Sequence, residues 1–424
     1  MVPDRSSSRP TTTLIESLRV GATARLAVAA VLVLASLASC ARGEQSSEAG
    51  QQVSRAASAT ERVSLAGVCP ARIVIQTAWT PESTHGGLFQ MLGRGFTIDA
   101  TKKRVVGKLV ARGGVDTGVE LELRAGGPAV GQQPIVSLLK QDPTITMAQN
   151  ALEDGIGGSS ELRTTAVFSP YAVDPVVFMW DKTRHPDFTV LQDIGQTDAK
   201  VVTFQTAQID YLLGAGVFRP TQIDYSFNGS PERLATDRSV VVGGFITNDP
   251  WTYAKLGIEV DSAFVSDTGY PNYRNQLVIR TADKDKLDGC LRRLVPVMQE
   301  AMVDYITQPQ AAMKAVASTA AAYKLLPYSY EQAMWGAVTA NCRGLLTDRP
   351  PRQVFGETDP NRVKRLIDIL RPIYAGGSPA GQQAGRRAPL PDDLSAEELA
   401  TNEYLDPAVK PDLTTLSEKG CPKP

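Results

Sequence analysis

The two histidines of this 424-residue chain are His85 and His185, and the first has unusual neighbours. His85 lies six residues after Trp79 and directly ahead of Gly86 and Gly87. A neutral imidazole donates a hydrogen bond at one nitrogen and accepts at the other, and an indole offers a flat face for stacking. Glycines at the start of a helix let a ligand approach the backbone and the positive end of that helix. The stretch therefore predicts a site for a small, flat ligand with hydrogen-bonding edges.

Further candidate residues follow predicted strands or cap predicted helices. In open α/β sheets, ligands bind outside the carboxyl ends of the strands, where helices present free N–H groups. The candidates are polar, weakly acidic or aromatic, which suits the recognition of a small heterocycle by stacking and edge contacts. Taken singly, each has a structural alternative, such as a core aromatic, a capping side chain or a plain turn. We expect these residues to join the first group in one site: Gln149, Phe168, Ser169, Asn228, Gly229, Ser230, Asn248, Asp249 and Tyr270.

Signatures of common enzymes are missing from the sequence. It contains no GxSxG elbow, no P-loop lysine and no HExxH pair, and a catalytic triad would have to use one of the two histidines. No CxxC pair occurs, and two histidines cannot build a histidine-rich metal centre. A formal net charge of −1, without long runs of one sign, gives no reason to expect a nucleic-acid partner. We therefore expect a protein without catalytic residues, metal or cofactor.

The order of the predicted elements indicates an α/β protein of two lobes. Strand-like and helix-like segments alternate from about residue 70, which favours mostly parallel sheets with flanking helices. We place the first lobe at residues 69–181 and 264–375, and the second lobe at residues 182–263. A charged, glycine-punctuated insert at 97–117 has the pattern of a hairpin, and residues 376–424 form a Gly/Pro-rich arm and tail. The candidate residues fall in both lobes, so the predicted site lies between them.

The N-terminus has the features of an export signal. After a leader with arginines comes the run LAVAAVLVLASLASC, whose roughly a dozen apolar residues are too few to span a bilayer and match a signal-peptide core. The run ends in LASC, which resembles the lipobox of bacterial lipoproteins, although an ordinary secretory signal that ends in cysteine is the alternative. We expect a signal peptide at residues 1–39, a lipid on Cys40 and a flexible tether at 40–68. The protein would then be lipid-anchored on the extracytoplasmic face of the cell membrane.

Four further cysteines follow Cys40 in the chain. An even number of cysteines outside the cytoplasm suggests two disulfides, for which three connectivities exist. Four buried free thiols are the alternative. We favour Cys69–Cys421, which would tie together the ends of the folded part, and Cys290–Cys342, which would join two helical segments.

Two segments resemble the type II periplasmic binding proteins of the thiamine-precursor and nitrate/sulfonate/taurine group. They are WTPESTHGGLFQ at residues 79–90 and the region from YLLGAG to NDPWTY at residues 211–253. The resemblance covers roughly residues 70–345 and implies two α/β lobes, a two-strand crossover hinge and a cleft that closes on a ligand. It also implies an ABC permease and an ATPase as partners of a monomeric binding protein.

The resemblance assigns ligand contacts by position. Trp79 and His85 would contact the ligand from the first lobe. The insert between Phe96 and Gly118 is longer than the family pattern, and an aspartate stands at position 249, where glutamate is common. From the second lobe, the contacts would be Asn228, Ser230, Asn248 and Asp249.

The pairing of Trp79 with His85 favours a pyrimidine-like thiamine precursor or another planar nitrogen heterocycle. Nitrate or an alkylsulfonate is the alternative, but an anion site would call for a committed Arg or Lys, and the nearest candidates are Arg124 and Arg233. An enzyme that resembles the yeast-type pyrimidine synthases is a further alternative. Those enzymes use a pyridoxal-bound lysine, a histidine and a cysteine cluster, and this chain lacks the cluster. A tethered sensor without a transporter also stays open.

Overall fold

The computed structural model describes residues 63–204, 206–227, 229–346, 354–377, 388–411 and 421–424. Strands in these residues build two separate sheets, and each sheet is the centre of one lobe. The strands are β1 (Arg72–Gln76), β2 (Thr97–Asp99), β3 (Arg104–Ala111), β4 (Val115–Arg124), β5 (Met147–Asn150), β6 (Thr164–Phe168), β7 (Val176–Asp181), β8 (Val201–Val202), β9 (Ile223–Asp224), β10 (Val241–Phe245), β11 (Val260–Phe264) and β12 (Gln276–Arg280).

Central strands of both sheets are apolar without alternation. In β1 every residue from Ile73 to Gln76 is buried, and in β7 every residue from Val177 to Asp181 is buried. Successive side chains of a strand point to opposite faces, so these strands are covered on both faces. Among the described residues, the first sheet has seven strands in the order β2-β3-β4-β1-β5-β12-β6, and the second has five in the order β11-β7-β10-β8-β9.

The two sheets share the same strand arrangement and the same pattern of strand directions. In the order β4-β1-β5-β12-β6, the first three strands are parallel and β12 runs antiparallel to both of its neighbours. In the order β9-β8-β10-β7-β11, β7 takes the same antiparallel place. Each antiparallel strand directly follows a crossing of the chain between sheets, at residues 169–175 for β7 and 265–275 for β12. The two crossings therefore connect two lobes of matching design.

The sheet to which β7 belongs differs from the sequence prediction, which placed it in the first lobe. β7 pairs with β10 and β11 of the second sheet. Its sequence, VVFMW, predicts a buried strand correctly, but a continuous apolar run does not indicate which sheet it enters. The second lobe consequently begins before residue 182, where the sequence analysis set the boundary.

Helices flank the sheets, and a 3-10 turn at Ser83–His85 precedes the first of them. Their bounds are α1 (Gly86–Gln90), α2 (Ile135–Gln141), α3 (Leu152–Gly157), α4 (Leu191–Gly195), α5 (Ala207–Gly214), α6 (Glu232–Thr236), α7 (Asp249–Lys255), α8 (Lys284–Thr307), α9 (Gln310–Tyr323), α10 (Tyr330–Cys342), α11 (Pro360–Pro372) and α12 (Ala396–Leu399).

The long helix α8 supplies much of the first core. Apolar residues recur along it at helical spacing, which predicts one buried face. The insert at 97–117 forms β2, β3 and the start of β4, joined as antiparallel hairpins as its sequence pattern predicts. The buried face of α8 includes Leu287, Cys290, Leu291, Leu294, Met298, Met302 and Tyr305.

Two disulfides are present, but both of the predicted pairings are wrong. Cys69 bonds to Cys290, with Cα atoms 4.7 Å apart, and Cys342 bonds to Cys421, with Cα atoms 5.2 Å apart. The segment before β1 lies against α8, so the nearest thiol to Cys69 is the one on that helix. The tail returns instead to α10, where the Trp335 indole N–H donates to the carbonyl of Pro422 at 3.2 Å.

Part of the C-terminal arm extends the edge of the first sheet. Ala400 forms a parallel bridge with Ala166 of β6, and the N–H of Thr401 donates to the Ala166 carbonyl at 2.9 Å. Arg163 forms salt bridges with acidic residues of this segment. The expected signal peptide and Cys40 lie outside the described residues. Within the described part of the chain, no helix is both long and apolar enough to span a bilayer.

Candidate functional site

The indole of Trp79 lies where the two lobes meet. Trp79 follows β1, and a Cβ atom built on Gly127, after β4, would lie 2.4 Å from the indole ring. A Cβ atom built on Gly229 of the second lobe would lie 3.9 Å from the same ring and 3.7 Å from Phe204. Phe204 packs edge-on against Phe227, with ring centroids 4.9 Å apart. Aromatic side chains from both lobes therefore lie close together around Gly229.

The turn after Trp79 is held by two phenols. The N–H of Ser83 donates to the Tyr328 hydroxyl at 2.8 Å, and the Tyr305 hydroxyl donates to the Ser83 carbonyl at 2.7 Å. Tyr305 belongs to α8, and Tyr328 lies just before α10. Helices from the last third of the chain thus fix a loop from its first quarter.

His85 is buried and neutral. Its Nδ1 accepts a hydrogen bond from the N–H of Glu82 at 3.3 Å, which places the ring proton on Nε2. Burial lowers the pKa of His85 to about 3. Its Nε2 is buried without a hydrogen-bond partner among the described residues. The imidazole can therefore donate one further hydrogen bond.

Gly86 and Gly87 serve close packing of α1 on α8. A Cβ atom on Gly86 would lie 2.1 Å from the Tyr305 ring, and one on Gly87 would lie 2.6 Å from the sulfur of Met302. The space that the sequence analysis assigned to a ligand beside Gly86 is filled by protein. The absence of a side chain here is needed for helix contact.

The second lobe contributes the start of α7. Asp249 accepts a hydrogen bond from the N–H of Phe245 at 2.6 Å and one from the Asn248 amide at 3.3 Å. Gln332 of α10 donates to the Asn248 side chain at 2.8 Å and to the Thr252 hydroxyl at 3.2 Å. Asn248 and Asp249 therefore lie at a contact between the second lobe and α10.

Helix α10 lies against loops of both lobes. A Cβ atom on Gly336 would lie 2.4 Å from Ser83 Oγ and 2.4 Å from the carbonyl oxygen of Thr247. Buried hydroxyls of Ser83, Thr247 and Tyr171 have no hydrogen-bond partner among the described residues. Buried polar atoms are nearly always paired, so these three hydroxyls are exceptions within the described part of the chain.

Two carboxylates face this contact. Burial raises the pKa of Glu82 to about 7, against the hydrogen bond that the Thr84 hydroxyl donates at 2.6 Å, and the charge of Asp249 raises it further. Burial likewise raises the pKa of Asp249 to about 6, although hydrogen bonds from Phe245 and its neighbour lower it. Neither carboxylate forms a salt bridge with a described residue. We term this set the interlobe cluster: Glu82, Ser83, Tyr171, Thr247, Asp249 and Tyr328.

An exposed groove of about 970 Å³ adjoins the interlobe cluster. Its walls include Trp251 and Lys255 of α7, Lys324 after α9, and both Tyr328 and Gln332. The Lys255 ammonium lies 4.3 Å from the centroid of the Trp251 ring. Tyr328 belongs to the interlobe cluster and also lines the groove, and Gln332 lines the groove and bonds to Asn248, so the groove lies beside the cluster.

Phe168 and Ser169, which the sequence places in the site, are covered by the chain itself. The Ser169 hydroxyl lies 2.6 Å from that of Thr358, and its N–H donates to the carbonyl of Gly356 at 2.8 Å. Phe355 packs edge-on against Phe168, with ring centroids 6.1 Å apart. The segment after α10 therefore returns over the end of β6 and covers both residues.

Tyr270 and Gln149 also lie outside the interlobe cluster. The Tyr270 hydroxyl donates to Glu153 at 2.6 Å, within a buried ionic group at the second crossing. The Oε1 atom of Gln149 has no partner among the described residues, and Gln149 lines a small cavity of about 20 Å³. That volume suffices for about one water molecule and no larger ligand.

The remaining predicted residues belong to the loop before α6. Gly229 lies beside Trp79, and the Ser230 hydroxyl accepts a hydrogen bond from the N–H of Glu232 at 3.3 Å. Asn228 lies outside the described residues. No group of three or more His, Cys, Asp or Glu side chains in the described ranges could hold a metal ion.

Sequence reasoning missed several members of the cluster. Glu82 stands inside the motif WTPESTHGG, and its acidity was the available signal. Thr247 precedes the predicted Asn248 cap. Tyr328 carries no signal, since it lies in a helical region without a motif, and its role depends on where α10 docks.

Comparison with known proteins gives structural likenesses at low identity. No protein-family model matches the chain, and no curated protein sequence matches it significantly. The aliphatic sulphonate binding protein SsuA of Escherichia coli is 11% identical, with a TM-score of 0.48 over 77% of this chain and 96% of that one. The alkanesulfonate-binding SsuA of Xanthomonas axonopodis pv. citri, bound to MOPS, is 11% identical, with a TM-score of 0.48 over 78% and 99%. The CA3427 gene product of Candida albicans, described as having the generic periplasmic binding protein fold, is 11% identical, with a TM-score of 0.41 over 77% and 99%.

The fold is assigned from the order and direction of the strands in the two sheets. Two α/β lobes with the same strand arrangement are joined by two crossings, which is the two-lobed α/β architecture with a two-strand crossover. This confirms the fold class that the sequence resemblance implies. At 11% identity, the ligand of a structural neighbour does not transfer to this chain.

Proposed function

We propose that the protein is an extracytoplasmic solute-binding lipoprotein of an ABC importer. It captures a small planar nitrogen-containing ligand, of the thiamine-precursor pyrimidine type, between its two lobes and has no catalytic role. The lipid on Cys40 would anchor it to the membrane, and an ABC permease and an ATPase would receive the ligand from the monomer.

One observation carries the proposal: groups for stacking and for hydrogen bonding converge from both lobes. The Trp79 ring meets Gly229 and Phe204 of the second lobe. The unpaired hydroxyl of Ser83 and the carbonyl oxygen of Thr247, one from each lobe, lie against Gly336 of α10, and the Thr247 hydroxyl is also without a partner among the described residues. An aromatic face and a few convergent polar atoms are what a small heterocycle requires of its site.

The two arginines that the sequence offers for an anion form salt bridges with carboxylates. Arg124 forms salt bridges with Glu122 and Asp142 at 2.7 Å each, and Arg233 forms one with Asp224 at 2.8 Å. Arg124 is thus committed to carboxylates, whereas Arg233 pairs with Asp224 and keeps a buried Nε without a partner among the described residues. Nitrate or an alkylsulfonate remains the comparison ligand in the test.

The test is a thermal-shift screen of the mature chain against aminopyrimidines, nitrate and alkanesulfonates, followed by titration calorimetry. A ligand that binds the folded state raises the unfolding temperature by mass action. We expect an aminopyrimidine to bind, and Trp79→Ala to weaken its binding about tenfold or more through lost stacking and contact area. Tyr330→Ala, at an exposed aromatic of α10, is the matched control and should bind normally. The proposal fails if nothing in the panel binds, and stacking is excluded if Trp79→Ala keeps full affinity.

A further inference from the structure

We infer that the site selects a positively charged ligand group, such as a protonated amidine or ring aminium, and holds it between the carboxylates of Glu82 and Asp249. The inference rests on the proposed function, because it places the charged group in the same interlobe cluster. It specifies, in addition, that the ligand is positively charged and which residues recognise that charge.

The positions of the two carboxylates follow from packing on α10. Ser83, next to Glu82, and Thr247, two residues before Asp249, both lie against Gly336. Two loops that meet on one helix bring their acidic side chains to the same contact between the lobes.

The surroundings of these carboxylates contain no described positive partner. The side chain of Glu82 accepts a hydrogen bond from Thr84, and that of Asp249 accepts from Phe245 and Asn248. The ionisable groups that face them are His85, which is neutral, and four phenols, which are uncharged at neutral pH: Tyr171, Tyr253, Tyr305 and Tyr328. A buried carboxyl that ionises without a counter-charge is destabilising by several kcal/mol, which is why Glu82 stays protonated until a cation arrives.

Other buried acids of the protein form salt bridges with arginines. Glu122 has salt bridges from Arg72, Arg104 and Arg124. Asp181 has one from Arg238 at 2.9 Å. Glu153 and Asp174 share Arg274, at 3.1 and 3.0 Å. By contrast, Glu82 and the half-buried Asp249 form no salt bridge with a described residue, so we expect their counter-charge to arrive with a ligand.

Binding of a cation would expel a proton. Below about pH 7 the free site holds a proton on Glu82 for much of the time, because burial and Asp249 raise its pKa. A cation favours the ionised carboxylate, so the proton passes to solvent while the ligand keeps its own. Affinity should therefore rise with pH between about 5 and 7, by up to about tenfold for each unit and each proton released.

The experiment is titration calorimetry of the mature chain with three planar probes of similar size. These are benzamidinium, neutral benzamide and anionic benzenesulfonate. We expect benzamidinium to bind at least about tenfold more tightly than the other two, with proton release seen as a dependence of the heat on the ionisation enthalpy of the buffer. Glu82→Gln should lower benzamidinium affinity and flatten its pH dependence while leaving benzamide binding nearly unchanged. Asp249→Asn is a second variant in the opposite lobe, and Glu259→Gln, at an exposed side chain, is the matched control.

The outcomes separate the inference from the proposed function. If benzamide or benzenesulfonate binds as tightly as benzamidinium in a Trp79-dependent manner, the charge preference is wrong and solute binding stands. A pH-independent affinity for benzamidinium, or an unchanged affinity in Glu82→Gln and Asp249→Asn, overturns the inference in the same way. If neither these probes nor any compound of the panel binds, both the inference and the proposed function fall.

Discussion

The guanidinium of Arg362 stacks on the ring of Tyr273, with its carbon 3.7 Å from the ring centroid. The same guanidinium donates to the carbonyl of Ala172 at 2.6 Å and to that of Pro271 at 3.0 Å. Ala172 belongs to the first crossing between the lobes, and Pro271 belongs to the second. One side chain of α11 therefore joins both chain segments that cross between the lobes.

Replacing Arg362 should loosen the hinge. Arg362→Met would leave backbone carbonyls on both crossings without their donor, and we expect a loss of about 3 kcal/mol in the free energy of unfolding. The ligand-free protein should also show a larger radius of gyration by small-angle X-ray scattering. Arg365→Met, at an exposed position of the same helix, is the control and should change neither quantity. Equal behaviour of the two variants would show that Arg362 does not restrain the lobes.

The raised pKa of Glu82 predicts how stability depends on pH. In the unfolded chain this carboxyl titrates near 4.5, and in the folded protein it titrates near 7, so folding favours its protonated form. Its contribution is full below pH 4.5 and is lost as pH rises through 7. Between pH 5 and 8, the free energy of unfolding from urea titrations should fall by about 2 kcal/mol more in the wild type than in Glu82→Gln. Parallel curves for the two proteins would contradict the assigned burial of Glu82.

The two disulfides should differ in what they contribute. Cys69–Cys290 spans 221 residues and Cys342–Cys421 spans 79, and the two loops do not overlap in sequence. Closing the longer loop removes more entropy from the unfolded chain, by about 1 kcal/mol in the chain-entropy account. Replacing the first pair by alanine should therefore lower the denaturation midpoint more than replacing the second. The reverse order would mean that contacts of the tail with α10 outweigh loop closure.

Gly86 should tolerate no side chain. In Gly86→Ala the new methyl group would overlap the buried Tyr305 ring, whose hydroxyl is held by Ser83, and we expect a loss of about 1–3 kcal/mol in unfolding free energy. Gly214→Ala is the matched control, because nothing lies within 4 Å of the added atom and alanine favours the helix. Thermal denaturation of both variants gives the comparison. A Gly86→Ala protein as stable as the wild type would show that α1 can move away from α8.

Local features of the fold were predictable from the sequence, and long-range pairings were not. The spacing along α8 and the hairpins of the insert follow from side-chain periodicity and turn residues alone. The place of β7 and the partners of Cys69 and Cys342 depend on where the chain returns, and periodicity carries no such information. The cover over Phe168 has the same origin, since Phe355 comes from a distant segment.

Some residues of the candidate site were likewise predictable from the sequence, and others were not. Trp79, Gly229 and Asp249 stand at strand ends or helix starts, so the rule for α/β sheets finds them. Tyr328 enters only because α10 docks across both lobes, and the raised pKa of Glu82 arises chiefly because the folded chain buries this carboxyl, with the charge of Asp249 adding to the effect. Electrostatic character of this kind is a property of the assembled pair of loops.

The position of the antiparallel strand β12 determines the order in which the two sheets can form during synthesis. All strands of the second sheet lie between Val176 and Phe264, so that sheet has its full complement once this continuous stretch has left the ribosome. The first sheet stays divided until β12 is made, because β12 inserts between β5 and β6, which were synthesised much earlier. The inserted lobe can thus acquire its core first, and a nascent chain truncated before Gln276 would expose an open seam to chaperones and proteases.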